Sequence, residues 1–162
     1  MPIDEIVLNA SPLIVIFKSE LEDIFPGLFS NIVIPMSVYK EVTENLKNDR
    51  AAVILPNTNW YKVIDVKIND KIAAWDLGKG ESTVLSFALE HKQFKVVIDD
   101  FAARKCAKIF NIDLLGTGSI LILAKRKGLI SSVGDALQKL KVSGFWISEN
   151  LEIFLKTKAG EC

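Results

Sequence analysis

The sequence predicts a single α/β domain built around a mostly parallel sheet. Short apolar runs typical of buried strands alternate with helical patterns along the chain, which is the arrangement expected of a parallel sheet flanked by helices. The length of 162 residues suits one domain with one core. A hydrophobic content of 49% with 25% charged residues is that of a globular rather than a disordered chain.

Composition also restricts the compartment in which the protein is expected. Every apolar run is interrupted by a charged residue or an asparagine before it is long enough to span a bilayer. The chain begins with acids at Asp4 and Glu5 instead of the basic region of a signal peptide. Cys106 and Cys162 have no spacing typical of a disulfide framework or a zinc site. These features predict a cytoplasmic protein with no membrane partner.

Charge is balanced overall but uneven along the chain. Residues 1–81 hold 8 basic and 12 acidic side chains, and residues 82–162 hold 12 and 8, so the two halves carry −4 and +4. The neutral total provides no overall basic footprint for non-specific binding to nucleic acid. A local basic surface in the second half and an ordinary solvated surface of mixed charge both fit the pattern.

Five short apolar runs predict the strands of the sheet. They cover residues 6–8, 31–35, 60–64, 96–98 and 112–115. The third run is expected at an edge of the sheet. In a parallel sheet, residues just past the carboxyl ends of the strands converge on one crevice, where ligands bind. The polar residues that follow these runs are therefore the candidates for a functional site.

Helical patterns fill the intervals between the runs. Ser11 before Pro12 predicts the N-cap of a helix that starts at the proline. Pro26 with Gly27 predicts the end of a short helix over residues 21–25. Another helical pattern begins at Ser37, which is expected to cap its helix. The remaining helical patterns cover residues 51–55, 70–77, 81–89, 101–110, 120–127, 133–140 and 151–155.

Two polar side chains of the first half are candidates. Asn9 directly follows the first strand, where its side chain can face the crevice or merely satisfy backbone donors in the turn. Glu41 lies at the edge of an apolar helix face formed by Val38, Val42 and Leu46, from which it can reach over the end of the sheet. An isolated glutamate on a helix is usually a solvated charge, so Glu41 is a candidate only in the company of other acids.

The second half supplies three more acids. Glu81 follows Gly78 and Gly80 in the first turn of a helix, a position that the helix macrodipole alone favours. Asp99 and Asp100 end a strand, and they can also act as an N-cap and a first-turn acid. Carboxylates that are brought together repel unless a proton or a cation lies between them. A hard divalent metal ion is the natural guest of such a group.

Two features near these acids suit a phosphate. Arg104 lies one turn into the helix that follows Asp99, where it can neutralise the acids or bind a phosphate. Thr117 lies in a Gly-Thr-Gly-Ser turn that opens another helix, and the backbone donors of such a turn suit a phosphate oxygen. The turn lacks the lysine of the phosphate-binding loop, so the motif is weak by itself.

Five motifs in this order resemble those of the PIN domain superfamily. The similarity extends over residues 6–155 and is to a prokaryotic subgroup of PIN-like proteins related to the VapC-type toxin nucleases. The motifs are Asn9-Ala-Ser-Pro-Leu-Ile, Ile34-Pro-x-x-Val-Tyr-x-Glu41-Val, Gly78-x-Gly-Glu81, Asp99-Asp-x-x-Ala-Arg104 and Gly116-Thr-Gly.

The resemblance implies a three-layer α/β/α sandwich with an acidic pocket that binds Mg²⁺ or Mn²⁺ and hydrolyses single-stranded RNA. The catalytic positions that it implies are Asn9, Glu41, Glu81 and Asp99. The implied metal ligands are Glu41, Glu81, Asp99 and Asp100. Asp99 is favoured over Asp100 as the fourth acid because it directly follows the strand. The implied substrate contacts are the small hydroxyl positions Ser11 and Thr117 together with Arg104.

One departure from the family pattern leaves an alternative open. The pattern usually has aspartate where this chain has Asn9, and an amide oxygen carries no charge, so metal binding should be weaker. Asn9 can instead bond to a metal-bound water. The leading hypothesis is a metal-dependent endoribonuclease, the toxin of a toxin–antitoxin pair in its narrower form. The alternative is a catalytically impaired PIN-fold module that binds or regulates.

The resemblance also implies partners. PIN-like proteins commonly form homodimers, and the toxin relatives bind a small antitoxin protein. The helices over about residues 133–157 are expected to pack on the domain or to form an oligomer surface. A phosphotransfer receiver domain is disfavoured, because the acids are spread over several elements and no lysine follows the later strands in the expected place.

Overall fold

The parallel sheet is confirmed by the structure, a computed structural model that describes residues 5–44 and 48–161. The strands are β1 (Glu5–Leu8), β2 (Asn31–Pro35), β3 (Lys62–Ile64), β4 (Lys95–Val97) and β5 (Leu114–Leu115). They form one sheet in the order β3-β2-β1-β4-β5, and every pairing is parallel. All five apolar runs thus supply strands, and the third lies at an edge as predicted.

β1 lies at the centre of this sheet. Val7 is opposite Val33 of β2 on one side and Val96 of β4 on the other. Ile6, Val7 and Leu8 have no exposed surface. A central parallel strand is covered on both faces, which is why its sequence is continuously apolar rather than alternating. Burial of each such side chain contributes about 1.5–3 kcal/mol, so β1 is a firm base for the residue that follows it.

Within the described residues, ten α-helices flank the sheet. They are α1 (Ala10–Lys18), α2 (Ile24–Leu28), α3 (Met36–Glu44), α4 (Arg50–Ile54), α5 (Asp70–Ala73), α6 (Lys79–Glu90), α7 (Phe101–Ile109), α8 (Thr117–Arg126), α9 (Val133–Val142) and α10 (Glu149–Lys158). A 3₁₀ turn, Leu55–Asn57, follows α4. None of these helices has the length and apolar character needed to cross a membrane.

Two predicted helix boundaries are wrong for the same physical reason. α1 begins at Ala10, so its N-cap is Asn9 and not Ser11. α2 continues through Pro26 instead of ending before it. Pro12 and Pro26 each occupy the third position of their helix, where the backbone N–H has no acceptor within the helix in any case. A proline in the first turn therefore removes no helical hydrogen bond.

The apolar face predicted for α3 is confirmed at the two residues that can be assessed. Val38 and Val42 are completely buried in the core. Leu46, the third residue of that pattern, and Cys162 lie outside the described residues. Glu41 lies beside this buried stripe but remains accessible to solvent, so the helix can anchor itself in the core and still present a carboxylate at the rim.

The end of the described chain is fixed by the carboxylate of Glu161. It accepts the backbone N–H groups of Val133 at 2.7 Å and Gly134 at 2.9 Å, at the start of α9. Its Oε2 also accepts from Nζ of Lys125 in α8 at 2.8 Å. The hydrogen bond from Lys125, followed by those from the backbone, lowers the pKa of Glu161 to about 2. α9 and α10 pack on each other and on α8.

Candidate active site

Four elements bring polar side chains to the carboxyl edge of the sheet. Asn9 follows β1, and Asp99 follows β4 after one further residue. Glu41 lies in α3, which follows β2 directly, and Glu81 lies in the first turn of α6. Because all the strands are parallel, their carboxyl ends share one edge, where residues that are distant in sequence approach each other.

Asn9, Glu41 and Glu81 come together around Gly80. Asn9 is only 2% exposed, and its Nδ2 donates to Oε1 of Glu81 at 3.5 Å. A Cβ atom added at Gly80 would lie 3.3 Å from both Asn9 Oδ1 and Glu41 Oε1, so these two oxygens are less than twice that distance apart. The missing side chain at Gly80 keeps the space between them open.

The contacts of Asn9 and Glu81 distinguish between the roles considered for them. Asn9 makes no side-chain capping bond to α1, so it does not serve the turn donors but points toward Glu81. Glu81 is in the first turn of α6, as the macrodipole favours, and its carboxylate also folds back over Gly78. A Cβ atom at Gly78 would collide with Oε2 of Glu81. Both glycines of the Gly-Lys-Gly-Glu segment thus make room for carboxylates.

A hydroxyl pair holds α3 against α6. Ser37 Oγ and Thr83 Oγ1 are 2.7 Å apart. Thr83 donates its only hydroxyl proton to the carbonyl oxygen of Gly80 at 2.9 Å, so Ser37 is the donor of the pair. Ser37 was expected to cap its helix, but α3 begins at Met36 and Ser37 lies inside it. No local pattern signals this bond, which fixes the spacing of the two helices that carry the glutamates.

The two glutamates influence each other electrostatically. Partial burial raises the pKa of Glu41, and the negative charge of Glu81 raises it further. The Asn9 amide N–H offsets part of the charge on Glu81 through its hydrogen bond. Repulsion between two carboxylates is relieved by a proton or by a cation placed between them. The opening at Gly80 is therefore suited to a cation.

Asp99 is held at a separate wall of the crevice by Thr117. Its Oδ1 accepts the backbone N–H of Thr117 at 3.0 Å, and its Oδ2 accepts the Thr117 hydroxyl at 2.5 Å. The predicted phosphate-binding donor at Thr117 is therefore engaged by Asp99. Arg104 donates from Nη1 to the carbonyl oxygen of Ile98 at 3.2 Å. Arg104 and Asp99 both lie close to Gly116, where a Cβ atom would be 3.0 Å from Nη1 and 3.4 Å from Oδ1.

Asp100 has a different contact from its neighbour. Its Oδ2 accepts the backbone N–H of Ala103 at 2.9 Å, which makes Asp100 the N-cap of α7. Asp100 is exposed, whereas Asp99 is half-buried. The structure thus gives the capping role, weighed above for both aspartates, to Asp100 and directs Asp99 toward Thr117.

Ser11 shares a cavity with Asp99. It is an exposed residue in the first turn of α1. Ser11 and Asp99 line a common cavity of about 320 Å³. The predicted substrate contacts are therefore divided: Ser11 lies at this cavity, Thr117 is hydrogen-bonded to Asp99, and Arg104 lies near Gly116 as Asp99 does.

The donor chemistry at the Gly80 opening fits one divalent ion. Across residues 5–44 and 48–161, no three side chains of the His, Cys, Asp and Glu types assemble as a metal-binding group, so Asp99 does not join Glu41 and Glu81 in one set. The two glutamates and the Asn9 amide are nevertheless hard oxygen donors. Mg²⁺ keeps several of its waters and is commonly bound through only one or two carboxylates.

Comparison with known proteins agrees with this architecture. A family profile described as a PIN domain matches residues 5–161, a range that contains every residue of the candidate site. No curated protein and no solved structure matches the chain. The matched range, the five-stranded parallel sheet and the polar side chains at its carboxyl edge lead to one assignment: the chain belongs to the PIN domain family.

Proposed function

We propose that the chain is a Mg²⁺- or Mn²⁺-dependent ribonuclease that hydrolyses phosphodiester bonds of single-stranded RNA. The observation that carries the proposal is the convergence of Asn9, Glu41 and Glu81 around the open space at Gly80. Membership of the PIN domain family favours a nuclease. An opening lined by oxygen donors at the ligand-binding edge of a parallel sheet suits a cation together with a phosphate.

Glu41 and Glu81 would hold the ion, and Asn9 would orient Glu81. Asn9 Nδ2 donates a long hydrogen bond of 3.5 Å to the carboxylate of Glu81, and Asn9 Oδ1 remains directed at the opening beside Glu41 Oε1. A divalent ion bound there lowers the pKa of a water molecule and stabilises negative charge on phosphate oxygens. The Ser37–Thr83 bond maintains the distance between the helices that carry the two ligands.

Asp99 and Arg104 would receive the attacking water and the phosphate. Asp99 is fixed by two hydrogen bonds from Thr117, and a fixed carboxylate can accept a hydrogen bond from water and orient it. Arg104 gives one donor to Ile98, and the fork of its guanidinium group suits a phosphate oxygen pair. In this proposal Asp99 orients the water and Arg104 binds the phosphate.

Cleavage of a labelled single-stranded RNA tests this proposal. Glu41→Gln and Glu81→Gln should lower the metal-dependent rate by on the order of 100-fold or more, because each removes charge from the ion site. Glu44→Gln and Glu90→Gln are matched controls, since they change exposed acids at the ends of the same two helices. An unchanged rate in Glu81→Gln would refute the assignment.

A second candidate is a PIN-fold module that binds or regulates without catalysis. Asn9 favours it, because the family resemblance has an aspartate there and the amide already offsets the charge of Glu81. Calorimetric titration of Mn²⁺ into the unmodified chain and into Asn9→Asp separates the two candidates. Binding and cleavage by the unmodified chain exclude the second candidate, whereas binding only after Asn9→Asp supports it.

The narrower form of the first proposal is a toxin of a toxin–antitoxin pair that forms a homodimer and binds a small antitoxin protein. Exposed Leu151, Ile153 and Phe154 on α10 support an assembly surface. Induced expression should arrest growth, and Glu81→Gln should abolish the arrest. Normal growth despite active enzyme in the extract would contradict the toxin role. Sedimentation of the purified chain tests the homodimer.

A further inference from the structure

A cavity of about 320 Å³ adjoins the candidate active site. It lies between α1 and the segment that joins α9 to α10. Its volume is at the small end of the range of ligand pockets, about 300–1,000 Å³. Asp99 lines this cavity and is also a residue of the candidate active site, so the two share one side chain. The residues that matter here are Ser11, Ile14, Lys18, Asp99, Phe145 and Trp146.

Trp146 is held in an exposed position beside this cavity. Its side chain is 82% exposed. Gly144, at φ +102°, lies two residues after the end of α9, and the backbone N–H of Phe145 donates to the carbonyl oxygen of Leu140 at 2.9 Å. Phe145 and Ile147 both pack against the core. The indole therefore projects outward between two anchored neighbours, and in the described ranges no other ring stacks on it.

The cavity combines an aromatic face with a cation. Lys18 lines it with a side chain that is 46% exposed and forms an ion pair with Asp49 at 3.4 Å. An ammonium group has three donors, so Lys18 can contact an anion while this ion pair persists. Aromatic side chains stack on nucleic acid bases of any sequence, and lysine binds the phosphates between them. This combination matches one nucleotide of a single strand.

We infer that this cavity is the subsite for the unpaired nucleotide next to the scissile phosphate, with its base stacked on Trp146 and its phosphate near Lys18. The inference rests on the proposed ribonuclease function, since Asp99, which lines the cavity, is the residue proposed to orient the attacking water. A base that is paired and stacked within a duplex cannot place its face on Trp146. The subsite therefore selects single-stranded RNA.

Binding of a short fluorescein-labelled single-stranded RNA, measured by anisotropy in EDTA, tests the subsite. Trp146→Ala should weaken binding about 5- to 100-fold. Trp146→Phe should retain most of the affinity, because it keeps an aromatic face. Trp75→Ala is the matched control, since Trp75 is also a solvent-accessible tryptophan but does not line the cavity. With Mg²⁺, Trp146→Ala should raise KM and leave kcat nearly unchanged.

The outcomes distinguish this inference from the proposed function. Equal RNA affinity and KM in the unmodified chain and Trp146→Ala, with cleavage that still depends on Glu81, would overturn the subsite and leave the ribonuclease standing. Failure of the unmodified chain to bind or cut single-stranded RNA would overturn both. Competition by a duplex of the same sequence, as effective as that by the single strand, would overturn stacking on Trp146.

Discussion

Replacement of Asn9 by aspartate tests how the amide serves the candidate site. Asn9 is 2% exposed and its Nδ2 is 3.5 Å from Oε1 of Glu81, so Asn9→Asp turns a hydrogen bond into a contact between carboxylates. At an effective dielectric constant of about 20, unit charges at that distance repel by about 5 kcal/mol. A proton relieves part of the repulsion, at about 1.4 kcal/mol for each unit of pKa rise. The metal-free variant should lose about 2–4 kcal/mol of unfolding free energy at neutral pH.

The pH dependence of this loss has a defined sign. The introduced carboxyl has a pKa in the folded state above its unfolded value of about 3.9. The two chains should therefore be equally stable below that pH, and the variant should fall behind as the pH rises through its folded-state pKa. Added Mg²⁺ or Mn²⁺ should reverse the loss, by about 3 kcal/mol at a concentration 100 times the Kd.

Urea unfolding followed by circular dichroism measures both effects, in EDTA and in Mg²⁺. Asn150→Asp is the control, because it adds the same charge at an exposed position of α10 and should change stability by less than about 0.5 kcal/mol. Equal stability of Asn9→Asp and the unmodified chain in EDTA at neutral pH would refute the geometry of the Asn9–Glu81 contact. Failure of the metal to stabilise either chain would refute the ion site.

Three other substitutions test other contacts. Glu161→Gln should cost about 1–2 kcal/mol after solvent screening. Because the pKa of Glu161 is lowered from 4.5 to about 2, this contribution should be present above pH 4.5 and lost as the pH falls toward 2, as urea unfolding can measure. Gly80→Ala should weaken Mn²⁺ binding by about tenfold in calorimetry, because its methyl group would lie 3.3 Å from Glu41 Oε1. Thr117→Val removes one of two hydrogen bonds to Asp99. It should lower the free energy of unfolding, measured by thermal denaturation, by about 1 kcal/mol.

Each of these three substitutions has a control variant or a result that would contradict its prediction. Glu90→Gln changes an exposed acid, so a loss as large as that of Glu161→Gln would show that the carboxylate bonds are not its cause. Lys79→Ala alters the same helical turn as Gly80→Ala without entering the opening, and it should leave Mn²⁺ affinity unchanged. An increase of stability in Thr117→Val would contradict the stabilising contribution assigned to the hydrogen bond of the Thr117 hydroxyl.

The strands could be predicted because burial on both faces leaves a continuous local signal. The run of residues 31–35 matches β2 to the residue, since its closing proline ends the strand. The contacts of the candidate site carry no such signal. Asn9 and Glu81 are 72 positions apart, and their distance depends on how α6 docks across β1. The sequence therefore indicates the edge on which the residues lie but not which of them touch.

The adjacent acids Asp99 and Asp100 show that sequence also fails to predict the contacts of neighbouring residues. Asp99 and Asp100 have nearly identical local contexts, yet one binds Thr117 and the other caps α7. The division depends on the backbone direction at the end of β4 and on the position of β5, which lies 14 residues or more away in sequence. Glu161 was likewise unpredictable, because a lone acid near the end of the chain resembles a solvated charge until α9 is placed beside it.

The position of β1 has a consequence for synthesis on the ribosome. Among the strands that the structure describes, it precedes the other four in sequence and is the central strand of the finished sheet. A nascent chain that has emerged as far as Gly78 contains Asn9 and Glu41, but it lacks Glu81 and the whole of β4, the second neighbour of β1. Half-made chains therefore cannot assemble the pocket. If the pocket cuts RNA, a chain still on the ribosome cannot cleave the messenger that encodes it until Glu81 and β4 have been made and have folded.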